Sequence, residues 1–289
     1  MKQKQVTVIG SINLDMVTTS DRIPHQGETM MGTGFNTVPG GKGANQAVAA
    51  ARLGADVTMI GCVGDDPFGK VLIENLQREG VLTDYVEPVT DVPSGVATIL
   101  VSDGDNRIIV TPGANDYVTP TYVEKYLDVI DQSNIVVLQL EIPLKTIEYV
   151  TGYCYRHNIP VILNPAPIQE VPDDVLKQVT YVTPNETEVT SLDVGKEKLI
   201  VTEGKQGVRY FQNGKVQHVP GFNVTVEDTT GAGDTFNGAL AVYLAENHSL
   251  KEAIIFANAA AALSVRKFGA QGGMPSRSEV IELMKKGGQ

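Results

Sequence analysis

The 289-residue sequence contains no tryptophan and only two cysteines, Cys62 and Cys154. Two cysteines supply neither a disulfide framework nor a thiolate zinc site. Cys62 lies in the apolar run Val57-Thr58-Met59-Ile60-Gly61-Cys62-Val63 and reads as a small packed hydrophobe. The four histidines (His25, His157, His218, His248) are scattered, with no i, i+4 pair to hold a metal. Positive charge is scarce: 23 Lys and Arg stand against 34 Asp and Glu, a formal net charge of −11. Nucleic acid is therefore excluded as the main partner, because binding its phosphates requires a basic surface. No run approaches the ~18 apolar residues of a membrane span. No sustained apolar stretch follows the two early lysines, so no signal peptide is expected and the location is read as cytoplasmic. There is no Gly-x-x-x-x-Gly-Lys-Ser/Thr loop, and no Gly-x-Gly-x-x-Gly follows the first strand. P-loop chemistry and dinucleotide binding are disfavoured accordingly.

Glycine-rich turns are present in their place. The most informative is Asp228-Thr229-Thr230-Gly231-Ala232-Gly233-Asp234-Thr235-Phe236. Phe236, Leu240, Tyr243 and Leu244 recur at helical spacing and predict an amphipathic helix. Gly231, Ala232 and Gly233 would form a tight turn at its N-terminus. Backbone N–H groups there have no intrahelical partner, and the helix dipole favours an anion. Asp234 beside an anion site is odd unless it takes a proton from a group close to that anion. The combination points to phosphoryl transfer onto a hydroxyl, with Asp234 as base and the turn as anion hole. The same residues also read as a plain turn with Asp234 as a helix cap, and this stretch alone leaves both open. Two further clusters tip the reading. Gly40-Gly41-Lys42-Gly43-Ala44-Asn45-Gln46-Ala47 runs into an Ala-rich helix, and Gly10-Ser11-Ile12-Asn13-Leu14-Asp15 follows the strand-like Val6-Thr7-Val8-Ile9.

Together these clusters resemble the ribokinase branch of the PfkB carbohydrate kinase family, in the family's order and over nearly the whole chain. The late motif is shared by the family at large, and the two early ones are more specific to ribokinases. The resemblance implies ATP-dependent phosphorylation of D-ribose at O5, giving D-ribose 5-phosphate. The alternatives are a relative acting on deoxyribose, fructose or a nucleoside, and a sugar-binding relative that has lost catalysis. A nucleoside acceptor wants an aromatic wall, which 6% aromatic content disfavours.

Strands and helices alternate. Val6–Ile9, Val57–Val63, Ile135–Leu140, Val161–Leu163, Tyr181–Thr183 and Leu199–Thr202 read as strands. Gly43–Leu53, Gly69–Glu79, Tyr122–Ile130, Leu144–Arg156 and Leu250–Arg266 read as helices, the last with a capping box at Ser249 and Glu252. The fold class expected is α/β: a three-layer Rossmann-like α/β/α core with a mostly parallel sheet, plus a small β-sheet lid. Residues 1–11, 40–93 and 111–289 are assigned to the core. Residues 12–39 and 94–110, with a hairpin at Asp103-Gly104-Asp105-Asn106, are assigned to the lid. A second hairpin is expected at Asn213-Gly214. In the family the lid covers the sugar and often pairs with a second subunit's lid, so a homodimer is implied. The family also carries an additional helix where this chain has only Val189–Ile200, which is too short for a full helix and its loops.

A pentose offers hydroxyls and little apolar surface, so carboxylates and amides suit it. Asn13, Asp15, Asn45 and Glu141 supply that chemistry, and Glu141 ends an apolar strand, where open α/β sheets bind ligands. By resemblance these residues with Gly40, Gly41, Lys42 and Asp234 are the ribose contacts. The nucleotide is expected across Asn185, Thr202, Gly204, Gly207, Gly233 and Asn258. By resemblance Asn185 and Glu188 organise Mg²⁺ through water, consistent with that ion's reluctance to dehydrate. A potassium site is implied at Asp228, Thr230, Ser264, Lys267, Gly269 and Gly273, mainly through backbone carbonyls. Gly273 stands where the family often has Ser.

Overall fold

The structure, a computed structural model, describes residues 4–102 and 105–287. The chain opens with β1 (Gln5–Ile9), β2 (Asn13–Thr19) and β3 (Gly34–Gly40), then α1 (Lys42–Arg52), β4 (Asp56–Gly64), α2 (Pro67–Arg78) and β5 (Val81–Val89). The pair β6 (Gly95–Ser102) and β7 (Asp105–Thr111) precedes two short helices, α3 (Pro120–Glu124) and α4 (Leu127–Asp131). Then come β8 (Ile135–Gln139), α5 (Leu144–His157), β9 (Val161–Asn164), α6 (Asp173–Gln178) and β10 (Tyr181–Val182). The final third holds β11 (Ile200–Thr202), β12 (Gly207–Gln212) and β13 (Lys215–Pro220), followed by α7 (Ala232–Ala245), α8 (Leu250–Ser264) and α9 (Arg277–Gly287).

Six strands in the order β10-β9-β8-β1-β4-β5 form one parallel sheet. Residues along its inner strands feed two separate cores. Val6, Val8, Ile135 and Val137 join the apolar residues of α1, α7 and α8, whereas Ile9, Val136 and Leu138 join those of α5 and α6. Burial on both faces explains why these strands are continuous Val/Ile/Leu runs. The expected three-layer α/β/α core is therefore present. A separate four-stranded sheet has the order β3-β2-β6-β7, with β2 parallel to β6 and antiparallel pairs outside. It is built from the two segments read as the lid. Of the hairpin turn expected there, Asp103 and Gly104 lie outside the described residues, and Asp105 and Asn106 already belong to β7.

Four local features differ from the sequence reading. β5 is absent from the strands that the sequence predicts, because its alternating buried and exposed residues mark a sheet edge rather than a buried strand. The helix expected over Tyr122–Ile130 breaks at Tyr126 (φ −124°, ψ 24°). Tyr126 packs edge-on against Tyr85 and Tyr122 and donates its hydroxyl to Glu87 of β5, contacts that override local helix propensity. β11 heads an antiparallel three-stranded sheet, and isolated bridges at Val182–Leu199 and Asn185–Thr202 connect its start to the end of β10 and the turn after it. Helix α7 is buried on nearly every side from Asp234 to Val242 rather than along one stripe. The short segment 188–200 holds two 3₁₀ turns, Glu188–Ser191 and Lys196–Lys198, and no full helix, in keeping with its length. Lys198 fixes this short segment by donating to the carbonyls of Leu176, Lys177 and Val179 at the end of α6.

Helices α1 and α7 cross closely because Gly238 has no side chain. A β-carbon there would lie 2.7 Å from both the Ala49 methyl and the Gln46 carbonyl. This crossing brings the first turn of α1 against the first turn of α7.

Candidate active site

Gly231 caps α7 in the left-handed region (φ 76°), and a β-carbon on it would meet Ala270 at 2.7–2.9 Å. Only glycine fits both demands. The Ala232 N–H is donated to the Thr229 carbonyl at 3.2 Å, so it is less available than the sequence implied. The N–H groups of Gly231, Gly233 and Asp234 have no backbone acceptor among the described residues. A β-carbon on Gly233 would meet nothing within 4 Å, so the turn faces open space. Donors, dipole and room for a ligand coincide here.

Asp234 is buried one residue further on. Its Oδ2 accepts from Asn45 Nδ2 and its Oδ1 from Gln46 Nε2, each at 3.0 Å. Burial pushes its carboxyl above the ordinary value, and Glu141 adds to that, while Lys42 and the two amides act the other way. Asp234 does not cap the helix: α7 has no side-chain cap.

The residues that the resemblance assigns to the sugar gather at the same place. Gly41 (φ 87°) lets the start of α1 press on β2, where a β-carbon would sit 2.7 Å from the Asn13 nitrogen. Asn13 Oδ1 accepts from Asn115 Nδ2 at 2.7 Å. Glu141 Oε2 accepts from Ser11 Oγ at 2.5 Å and from the Lys42 N–H at 3.1 Å. Asp15 lies against Gly40, and its carboxyl is raised to about 7 by burial and by the charges of Glu141 and Asp234, against the pull of Lys42. The Lys42 ammonium is in the field of Asp234, Glu141, Glu188 and Asp15, which together outweigh its burial and hold it charged.

The residues expected to flank a nucleotide form a second group. Asn185 Oδ1 accepts from the N–H groups of Thr187 and Glu188, and Glu188 Oε2 accepts from the Asn185 N–H, all at 2.9 Å. Asn185 bridges to Thr202, and the following turn carries Gly204 (φ 52°) and Gly207 (φ 108°). Asn258 on α8 donates to the Pro220 carbonyl at 2.8 Å, opposite Gly207. The two groups are linked: Thr183 Oγ1 bonds Asn237 Oδ1 at 2.6 Å, and Asn237 Nδ2 donates to the Gly233 carbonyl at 2.9 Å.

Of the residues read as a cation site, Asp228, Thr230 and Gly269 are joined directly. Asp228 accepts from Thr230 Oγ1 at 2.6 Å and from the N–H groups of Thr230 and Gly269 at 2.9 Å. Gly273 lies on the Ser264 carbonyl, where a β-carbon would come within 1.8 Å. The Lys267 side chain is exposed and is not drawn into this group.

Over residues 3–277 the chain matches the model of the pfkB family carbohydrate kinases. The chain belongs to that family. It is 52% identical over 291 residues to a ribokinase of Bacillus subtilis, covering 97% of this chain and 99% of the relative. Its fold matches an Arabidopsis thaliana ribokinase complexed with ribose and ATP, with a TM-score of 0.90, 34% identity and 99% of each chain covered. A ribokinase from Thermotoga maritima matches with a TM-score of 0.88 and 36% identity, covering 97% of this chain and 99% of that one. Among the described residues, no helix is long and apolar enough to cross a membrane, and no cluster of three or more His, Cys, Asp or Glu side chains forms a metal cage.

Sequence reasoning gave no role to Ser11, Gln46, Asn115, Gln139, Asn164 or Gln271. Gln139 interrupts the apolar run Ile135–Leu140, and a polar residue inside such a run was the available signal. Gln139 donates to Gln46 Oε1 at 2.7 Å, and Gly10 leaves room for it: a β-carbon there would lie 1.9 Å from Gln139 Oε1.

Proposed function

We propose that this carbohydrate kinase transfers the γ-phosphoryl group of ATP to O5 of D-ribose, giving D-ribose 5-phosphate and ADP, with Asp234 as the base. The carrying observation is the adjacency of a buried, hydrogen-bonded carboxylate and the open N-terminal donors of α7. Asn13, Asp15, Gly40, Gly41, Asn45 and Glu141 hold the sugar hydroxyls, and Lys42 balances the surrounding carboxylates. As O5 attacks, its proton passes to Asp234, the O5–phosphorus bond forms, and the bond from phosphorus to the β-phosphate oxygen breaks. The N–H groups of Gly231, Gly233 and Asp234 then stabilise charge on the travelling group, and Ala232 shapes the turn.

Asn185, Thr202, Gly204, Gly207 and Asn258 flank the nucleotide. The divalent ion that accompanies ATP neutralises phosphate charge. The Asn185–Glu188 turn offers the oxygen donors Mg²⁺ prefers and would hold it through water. The carbonyls of the loop around Gly269, with Asp228, suit a potassium ion as activator. The four-stranded sheet acts as the lid and pairs two copies into a homodimer. Phe35 on β3 (63% exposed) and Ile109 on β7 (67%) support this reading. The two free, buried cysteines suit the reducing cytoplasm.

The test is an ADP-release assay over a panel of ribose, deoxyribose, fructose and nucleosides, ranked by kcat/KM, with product regiochemistry read by phosphorus NMR. Ribose ranking first with phosphate on O5 is expected. Another acceptor ranking first would reassign the substrate, and calorimetric ribose binding without turnover would leave a binding protein only.

A further inference from the structure

A row of buried side-chain amides leads away from Asp234 to residues to which the sequence reading gave no role. Asn75 Nδ2 on α2 donates to Gln271 Oε1 at 2.9 Å. Gln271 Nε2 donates to Asn45 Oδ1 at 2.9 Å, and Asn45 Nδ2 donates to Asp234 Oδ2 at 3.0 Å. All three links run in the same direction. That follows from the chemistry of the groups: an ionised carboxylate only accepts, and each amide has one donating and one accepting end. Once Asn45 donates to Asp234, its Oδ1 must receive, so Gln271 must donate and its Oε1 must receive in turn.

The loop carrying Gln271 is anchored independently. Arg52, at the other end of α1 from Asn45, donates to the carbonyls of Gln271 at 2.6 Å and Met274 at 3.0 Å. Its guanidinium also pairs with both oxygens of Glu79, at 2.7 and 2.8 Å. A clamp of this kind fixes the backbone from which the Gln271 amide reaches Asn45. On the other oxygen of Asp234, Gln46 is held in the same manner: it receives from Gln139 and donates to both Asp234 and Asn164.

We infer that Gln271 and Asn75 are positioning residues for the base, acting through Asn45 to fix which lone pair of Asp234 Oδ2 is left for the sugar hydroxyl. The inference rests on Asp234 being the base and adds to that reading the part that aims it. Aim matters because a base must lie within hydrogen-bond reach and along the direction of the proton it removes. Without Gln271, Asn45 Oδ1 is a buried acceptor with no donor. The amide then turns toward other partners and no longer holds the carboxylate.

Gln271→Met keeps length and apolar stem and adds no charge, and Asn75→Leu interrupts the row one link further out. The charged groups around Asp234 are Lys42 on α1, Asp15 on β2, Glu141 after β8 and Glu188, and neither variant alters them. Loss of a donor to the ionised form moves the acid limb of the kcat–pH profile, read at saturating ribose where the bound sugar already engages Asp15, to higher pH. For Gln271→Met we expect kcat to fall about tenfold, with KM for ATP unchanged and the acid limb moved upward. Asn75→Leu is expected to shift the limb in the same direction by less, and it carries the test if Gln271→Met does not fold. An acid limb at its native position in the folded variants overturns the inference, whatever happens to turnover or melting temperature. Asp234→Asn, run beside them, separates the two claims. If it leaves turnover intact, the base assignment fails; if it abolishes turnover while neither relay variant moves the limb, only the relay fails.

Discussion

Gly40 stands directly against Asp15: a β-carbon on Gly40 would lie 2.4 Å from Asp15 Oδ2 and 2.5 Å from its Cγ. Gly40→Ala therefore pushes the carboxylate off its place while leaving β2–β3 pairing intact. We expect KM for ribose to rise about tenfold or more, equivalent to ~1.4 kcal/mol of lost binding, with a smaller change in kcat. Steady-state kinetics with ribose as the varied substrate checks this, and an unchanged KM would detach Asp15 from sugar binding.

The Asp15 carboxyl, raised to about 7 from an ordinary 3.8, gives two opposed pH effects. Its folded value lies above the unfolded one, so between these values the native state binds a proton that the unfolded chain does not. The stability contributed by Asp15 is then present at low pH and is lost as pH rises toward 7. Sugar hydroxyls donate to the ionised form, so kcat/KM for ribose should rise with pH and level off above about 7. Asp15→Asn should melt above the native protein at pH 8 without ribose, yet bind ribose poorly. A lower melting temperature for that variant at pH 8 contradicts the account.

Contact between Gly273 and the Ser264 carbonyl gives a third expectation. A serine side chain at 273 would begin 1.8 Å from that oxygen, so the carbonyl must move. Native turnover should increase when tetramethylammonium is replaced by potassium. Gly273→Ser should melt several degrees lower, the scale of a strain of ~1–3 kcal/mol, while keeping that activation through the backbone carbonyls. No potassium activation in the native protein would remove the cation from this loop.

What the sequence disclosed was the part of the site made from backbone. A phosphate group needs unpaired N–H donors, which requires glycines before helices, so Gly231–Gly233 and Gly40-Gly41 could be read directly. The inner strands were legible because burial on both faces leaves no polar alternation. Edge strand β5 was not, since its outward residues carry no such constraint, and the break at Tyr126 depends on Tyr85 and Glu87, some forty residues away in sequence. Amide side chains were the least legible. Gln271 and Asn75 sit in a loop and on a helix where polar residues are ordinary, and only the fold shows that they are buried and joined.

The central claim is that Asp234 removes the proton from the acceptor hydroxyl. Single-turnover phosphoryl transfer by Asp234→Asn, at saturating ribose and ATP, measures it most directly. The account predicts a rate at least ~10²-fold below native, with ribose and ATP still bound. A rate within about threefold of native would contradict it.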